Sequence, residues 1–429
     1  MSSELIVTEG DPAGAPDGPP RRRPVRRVRR PHGPINRWWI RIHRWTSLVL
    51  GLLLLLECTS GAVLLYGNDI ARAAHPERYV ATPSASPMSQ IDALRMVRAT
   101  HPELAANGVQ EYEGIYLVRG PANSRDYLDA FVDPGSGRIN GIGPELPDFV
   151  LFMLNIHDYG LTGKGMPGYQ AWLKTPLPEA FGKNATLGYY LLGVLGALLV
   201  LLAVSGAVVW WPGLRALATG FLVRRGRGGY VRDLDLHRVV GIVAVPFLLM
   251  WGVTGAAFFF EWPAQAYFAL VPGEAREDPP DPARGGGPML SFEQARDAAL
   301  AAHPGAEVAG FTASKVDQPG GAYSFRLRHD FDPYRYWNWS GPISVTVDSH
   351  GGGVQDWAPE GPDVPATQRL WDGGFYYGLH FGTLVSPVPR VVFLLFGLAP
   401  VLLGVTGVTV WLTKRRGARN RRQRAPRAP

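Results

Sequence analysis

Histidine stands beside arginine at the start of two apolar runs, in Ile42-His43-Arg44 and in Leu236-His237-Arg238. In both copies a glycine follows the histidine by 18 residues, Gly61 and Gly255. On a helix that interval returns to the same face, about 27 Å further along the axis. Each helix then presents an imidazole near one end and a gap near the other, on one stripe. Such a stripe suits a large planar group held between helices, and haem is the first candidate. Two further histidines, His157 in Asn155-Ile156-His157 and His380 in Gly378-Leu379-His380, precede two other apolar runs. Haem iron takes an axial ligand on each face of the macrocycle, and neutral imidazole is a common one. Pairing by position gives His43 with His237 and His157 with His380, hence two b-type haems, one near each membrane surface. The competing reading is four interfacial histidines solvated by headgroups.

The remaining candidates are arranged around these pairs. Gly206 and Gly407 end the other two runs, at the level of His43 and His237, while Gly61 and Gly255 fall at the level of His157 and His380. Each haem would meet histidines from one pair of helices and small residues from the other pair; ordinary small-residue helix packing is the alternative. Arg44 and Arg238 follow the inner histidines and suit haem propionates or the membrane surface, and Arg390 enters the last run from the opposite side. Glu57 is a carboxyl within the first run, where an ionisable group is a functional candidate. Three roles are open to it: tuning the outer haem, taking up protons, or packing as a hydrogen-bonded acid. Trp251 holds its place in the second half. His32, His75, His101, His303, His329 and His350 fall in loops or tails and read as surface residues.

The elements that must position these groups follow from hydropathy. Four apolar stretches, about 47–66, 187–211, 239–260 and 391–412, reach the length of about 20 residues that a membrane helix needs. The first has no small-x-small cleavage site and reads as an uncleaved anchor. One cysteine, Cys58, excludes an intrachain disulfide framework and a Cys-ligated iron–sulfur cluster. The N-terminal arm, the loop 213–238 and the tail from Lys414 hold 24 of the 43 Lys and Arg residues but 6 of the 36 Asp and Glu residues. By the positive-inside rule these three segments are cytoplasmic, and the long segments between spans lie outside. Their place beside spans favours contact with membrane lipid over binding of nucleic acid.

The expected fold is an α-helical membrane protein of four spans in two parallel repeats, with two small α+β extracytoplasmic domains. Its order is a disordered basic arm 1–34, span 35–66, first outside domain 67–148, an outer-face segment 149–186 with His157, and span 187–212. A cytoplasmic loop 213–235, span 236–260, a second outside domain 261–370, an outer-face segment with the last span 371–413, and a basic tail 414–429 complete it. The repeat shows in four features of common order. These are the His-Arg span, a helical stretch ending His101-Pro102 or His303-Pro304, a Val-Asp turn (Val132-Asp133 and Val347-Asp348), and a span ending Ser205-Gly206 or Thr406-Gly407. Helices are expected over 88–101 and 290–302, and strands over 113–119, 126–133, 306–313, 322–329 and 343–348. The helix-and-strand part of each outside domain is about 60 residues, small for an independent core, so docking on the membrane part or on each other is expected. The stretch 326–339 is dense in aromatic and cationic residues and suits an aromatic or anionic ligand, or a strand and turn.

His-Arg at the start of alternate spans, Ser/Thr-Gly near span ends and outside Val-Asp-x-x-x-Gly turns resemble the PepSY-associated transmembrane family over about residues 35–415. That family includes haem-containing inner-membrane ferric-siderophore reductases and members without assigned activity. The resemblance implies haem b, a cytoplasmic-membrane location and reduction of a ferric siderophore or other ferric chelate outside. No flavin, nicotinamide or phosphate-loop fingerprint is present, so the donor would be a separate reductase, a reduced cofactor or a quinol. The alternative is a non-enzymatic membrane protein whose outside domains bind or inhibit an envelope partner.

Overall fold

A computed structural model describes residues 34–120, 128–178, 181, 185–273, 285–318, 320–329, 332, 341–358, 364–372, 377–382 and 387–424. The N-terminal arm, residues 274–284 and most of the aromatic stretch 330–340 lie outside the described residues. In chain order the helices are α1 (Pro34–Leu64), α2 (Gly67–Ala74), α3 (Gln90–Thr100), α4 (Asp148–His157), α5 (Leu187–Trp210) and α6 (Leu217–Gly220). There follow α7 (Gly229–Ala257), α8 (Trp262–Leu270), α9 (Phe292–Ala302), α10 (Ala366–Arg369), α11 (Tyr377–Phe381) and α12 (Pro387–Arg424). The strands are β1 (Gly108–Tyr112), β2 (Ile115–Arg119), β3 (Leu128–Asp133), β4 (Arg138–Pro144), β5 (Glu307–Ser314), β6 (Ala322–Arg328), β7 (Ile343–Asp348) and β8 (Val354–Trp357).

Among the described residues four helices, α1, α5, α7 and α12, are long and apolar enough to cross a bilayer. A helix satisfies its backbone groups internally, which a lipid environment demands. Large apolar side chains such as Val49 and Leu52 are exposed on α1, as a lipid-facing surface requires. Three helices run beyond the expected apolar windows. α1 begins at Pro34, α7 at Gly229, and α12 continues to Arg424, because hydropathy marks the lipid-facing length and not the helical length. His43 and His237 therefore lie inside helices rather than at their ends.

The four spans form a ring in which α5 packs on α7, α7 on α12, α12 on α1 and α1 on α5. Small residues permit two of these contacts. A Cβ on Gly196 of α5 would lie 2.7 Å from the Ala256 backbone nitrogen of α7, and one on Gly397 of α12 would lie 2.9 Å from Ala62 of α1. The helices bearing His43 and His237 are thus diagonal partners.

Among the described residues the sheet has eight antiparallel strands in the order β4-β3-β2-β1-β5-β6-β7-β8. β1 pairs with β5 across the seam, with Gly108 opposite Thr312 and Gln110 opposite Gly310. Strands β1, β4 and β8 are additional to those expected from the sequence; β1 and β8 are short, and β4 and β8 are edges with weak alternation. α3 and α9 cover one face, and a single apolar cluster includes Leu94, Val97, Val118 and Val132 from one half and Phe311, Phe325, Leu327 and Val345 from the other. The two small domains share one core, as their size demands.

The Val-Asp turns clamp the incoming chain to the sheet. Asp133 accepts hydrogen bonds from Thr82 N (3.0 Å), Thr82 Oγ1 (2.6 Å), Gly135 N (3.0 Å) and Ser136 Oγ (2.6 Å). Asp348 accepts from Gly285 N and His350 N, both at 3.1 Å. On the other sheet face of the first half, Arg78 lies 5.3 Å from the centre of the Phe131 ring and donates to the Pro144 carbonyl.

Candidate functional site

The histidine pairs form by docking each imidazole onto a Ser/Thr-Gly step of a neighbouring helix. His43 of α1 meets Ser205-Gly206 of α5, and its Nδ1 lies 3.0 Å from Ser205 Oγ. His237 of α7 meets Thr406-Gly407 of α12, with Nδ1 3.1 Å from Thr406 Oγ1 and 3.1 Å from the Leu403 carbonyl. At the sheet end, His157 of α4 meets Ser60-Gly61 of α1, with Nδ1 3.3 Å from Ser60 Oγ and 3.0 Å from the Glu57 carbonyl. His380 of α11 meets Thr254-Gly255 of α7, with Nδ1 2.8 Å from Thr254 Oγ1.

Those hydroxyls assign the tautomer. Each donates its proton to a carbonyl of its own helix: Ser205 to Leu202 (3.1 Å), Thr406 to Leu402 (2.7 Å), Ser60 to Glu57 (2.8 Å) and Thr254 to Met250 (2.7 Å). With that proton committed, the oxygen must accept from the imidazole, so Nδ1 carries the hydrogen. Nε2 then bears a free lone pair at all four positions, the arrangement of a metal-ligating histidine with its second nitrogen anchored. The hydroxyl preceding each glycine is legible in the sequence, but its role appears only once the spans are packed.

The glycines receive the imidazoles themselves. A Cβ on Gly206 would lie 3.2 Å from His43 Cε1, and one on Gly407 3.2 Å from His237 Cε1. On Gly61 it would lie 2.6 Å from His157 Cε1, and on Gly255 3.7 Å from His380 Cε1. Gly61 and Gly255 therefore serve the opposite end from the histidine of their own helix, as expected. The gap receives an imidazole edge, where helical spacing alone predicts a planar ligand.

Across the bundle the rings of His43 and His237 have centres 6.3 Å apart at 79° to each other. Those of His157 and His380 have centres 6.1 Å apart at 41°. The connections to the following spans differ in length, yet the second pair is as close as the first. The surplus includes the turns of residues 158–170 and the short helical turn Ala171–Lys174. There Asn155, fully buried, accepts from Gly163 N (2.9 Å) and donates to the Pro167 carbonyl (2.9 Å), which returns the chain to α5 without displacing His157.

The arginines are placed differently from the histidines. Arg44 is exposed, its guanidinium 5.4 Å from the centre of the Trp45 ring. Arg238 is half-buried beside His237. Arg390 is buried, donates to the Leu65 carbonyl (2.8 Å) and to the Asp69 carboxylate, and lies 4.4 Å from the centre of the Tyr66 ring. It fastens the start of α12 to the corner between α1 and α2. Glu57, missed as a direct neighbour, has Oε1 3.1 Å from His157 Nδ1. Its counterpart Trp251 donates from Nε1 to the His380 carbonyl (3.2 Å).

The other described histidines have local partners or solvent. His75 faces Glu77, His101 faces Glu103, His303 faces Asp356, and His329 is exposed. Among the described residues no group of three or more His, Cys, Asp and Glu side chains gathers to hold a metal. The histidines meet in twos, His43 with His237 and His157 with His380. A family model, the PepSY-associated TM region, matches residues 40–414. No curated protein matches the chain.

Proposed function

The chain belongs to the PepSY-associated TM family, and on that footing we propose that it conducts electrons across a membrane through two b-type haems. His43 and His237 would hold one, and His157 and His380 the other. The single observation that carries this reading is the ring spacing, 6.3 Å and 6.1 Å. Two metal–imidazole bonds of about 2 Å, with the distance from each ring centre to its own nitrogen of about 1 Å, account for a separation of about 6 Å. Edge-on ring pairs span about 4.5–7 Å, so the spacing leaves the room that an iron between the rings would need. The Nδ1 anchors and the glycine seats support the same reading, because they engage Nδ1 and fix ring position, which would leave Nε2 as the nitrogen to meet iron.

Bound there, haem supplies one-electron exchange between ferric and ferrous iron. The chain's own residues hold each ring in place and engage its Nδ1 hydrogen. Two sites about 27 Å apart along α1 and α7 divide the bilayer crossing into shorter electron steps.

Orientation follows from charge. The basic loop and tail adjoin the His43 and His237 end, which is cytoplasmic by the positive-inside rule; both termini share that side, and the sheet is extracytoplasmic. The mirror-ordered sheet and the equivalent Ser/Thr-Gly docking in each half support two parallel repeats about an axis along the membrane normal. The acceptor is then outside, and family resemblance favours a ferric siderophore or other ferric chelate, reduced so that the ligand releases Fe(II). A separate donor serves the cytoplasmic site.

A reduced-minus-oxidised optical spectrum of the purified, haem-replete protein tests the proposal. Two b-type centres are expected, and His43→Ala and His157→Ala should each lose one of two haems while retaining the other. Absence of b-type bands would sink it and leave the outside sheet as a partner-binding module.

A further inference from the structure

The two halves place equivalent hydroxyls on all four imidazoles, but one imidazole has an additional neighbour. His157 Nδ1 lies 3.1 Å from the Glu57 carboxylate as well as near the Glu57 carbonyl and Ser60 Oγ. Among the described residues, His43, His237 and His380 have hydroxyl or carbonyl partners at Nδ1 and no carboxylate. The position equivalent to Glu57 is Trp251, a donor that reaches the His380 backbone and not its ring. The asymmetry is therefore confined to one ligand of one pair.

Building on the two-haem reading, we infer that Glu57 is a positioning residue that sets the potential of the outer site through His157. A carboxylate 3.1 Å from Nδ1 places negative charge beside its hydrogen, which gives the imidazole more anionic character and makes Nε2 a stronger donor. A stronger donor stabilises ferric over ferrous iron, which makes the site a stronger reductant. The outer site is the one facing the acceptor, so the effect falls where reducing power is delivered. Glu57 does not touch the acceptor or the iron in this arrangement; it acts through the ring. The bland alternative is a hydrogen-bonded acid that only packs α4 against α1.

Potentiometric titration of the full-length holoprotein, wild type and Glu57→Gln, with the ferric low-spin EPR spectrum of each, tests this. The amide keeps the shape of the side chain and weakens the acceptor. One of the two midpoint potentials is expected to become more positive, and the EPR signal of that same centre to shift, while the other centre keeps both. Two unchanged centres, or two centres shifted alike, would overturn the inference and leave the two-haem reading standing. If Glu57→Gln loses the outer haem, Glu57→Asp decides. Retention of the haem in the aspartate variant supports the carboxylate, and loss in both variants overturns the inference in favour of packing. A wild-type protein without b-type bands overturns the two-haem reading and this inference together.

Discussion

Gly61 and Gly255 occupy corresponding places on α1 and α7 but leave different room. A methyl on Gly61 would approach His157 Cε1 to 2.6 Å, whereas one on Gly255 would keep an ordinary 3.7 Å from His380 Cε1. The His157 ring has little freedom to yield, since Ser60 and Glu57 hold its Nδ1. Gly61→Ala is therefore expected to lose the outer haem and keep the inner one, while Gly255→Ala keeps both; haem content per protein measures the difference. The hydroxyls give a second contrast. Thr406→Val retains the shape of the residue but removes one acceptor of the His237 Nδ1 hydrogen, leaving the Leu403 carbonyl. The expected loss is about 10-fold in haem affinity at the inner site, the low end for such supporting groups, read by haem transfer to an apo-globin acceptor.

At the scale of elements, the Val-Asp turns show how a short motif organises the outside sheet. Burial pushes the Asp133 carboxyl up, but hydrogen bonds from Ser136, Thr82 and Gly135 outweigh it and hold the group below the usual carboxylate range. The sign follows from linkage: the folded state keeps Asp133 ionised, and the unfolded carboxyl protonates at about pH 4. The stabilisation is present above that pH and is lost as pH falls below it. Asp133→Ala leaves the Thr82 and Gly135 amides without their acceptor and is expected to cost about 1–3 kcal/mol. Thermal unfolding followed across pH 3–7 should show the wild type converging on the variant at the acid end. A difference that persists undiminished to the lowest pH would contradict the linkage. The loss should open the strap at residues 82–88 first, visible as faster amide exchange there.

The whole molecule depends on the seam between β1 and β5. Phe325 is fully buried in a cluster drawn from both halves, so Phe325→Ala is expected to cost about 3–5 kcal/mol. Its effect should reach both halves: amide exchange must accelerate in β2 and β3 as well as in β6 and β7, and acceleration confined to the second half would refute a shared core. Much of this molecule is legible from its residues. Apolar length marks the four spans, because lipid admits only a helix there, and the interval from His43 to Gly61 sets both on one stripe by helical geometry alone. Charge divides the segments into two classes for the same local reason. The tertiary structure decides what no local pattern encodes. Which helix receives each imidazole depends on the ring order of the spans, and the meaning of Ser205, Thr406, Ser60 and Thr254 depends on which nitrogen faces them. Likewise, β1, β4 and β8 have too few alternating residues to stand out, and they exist because neighbouring strands satisfy their backbone. Glu57 is visible in the sequence as an acid in an apolar run. Only the docking of α4 against α1 brings it to a histidine 100 residues away, since contacts across that separation are set by packing and not by chain spacing.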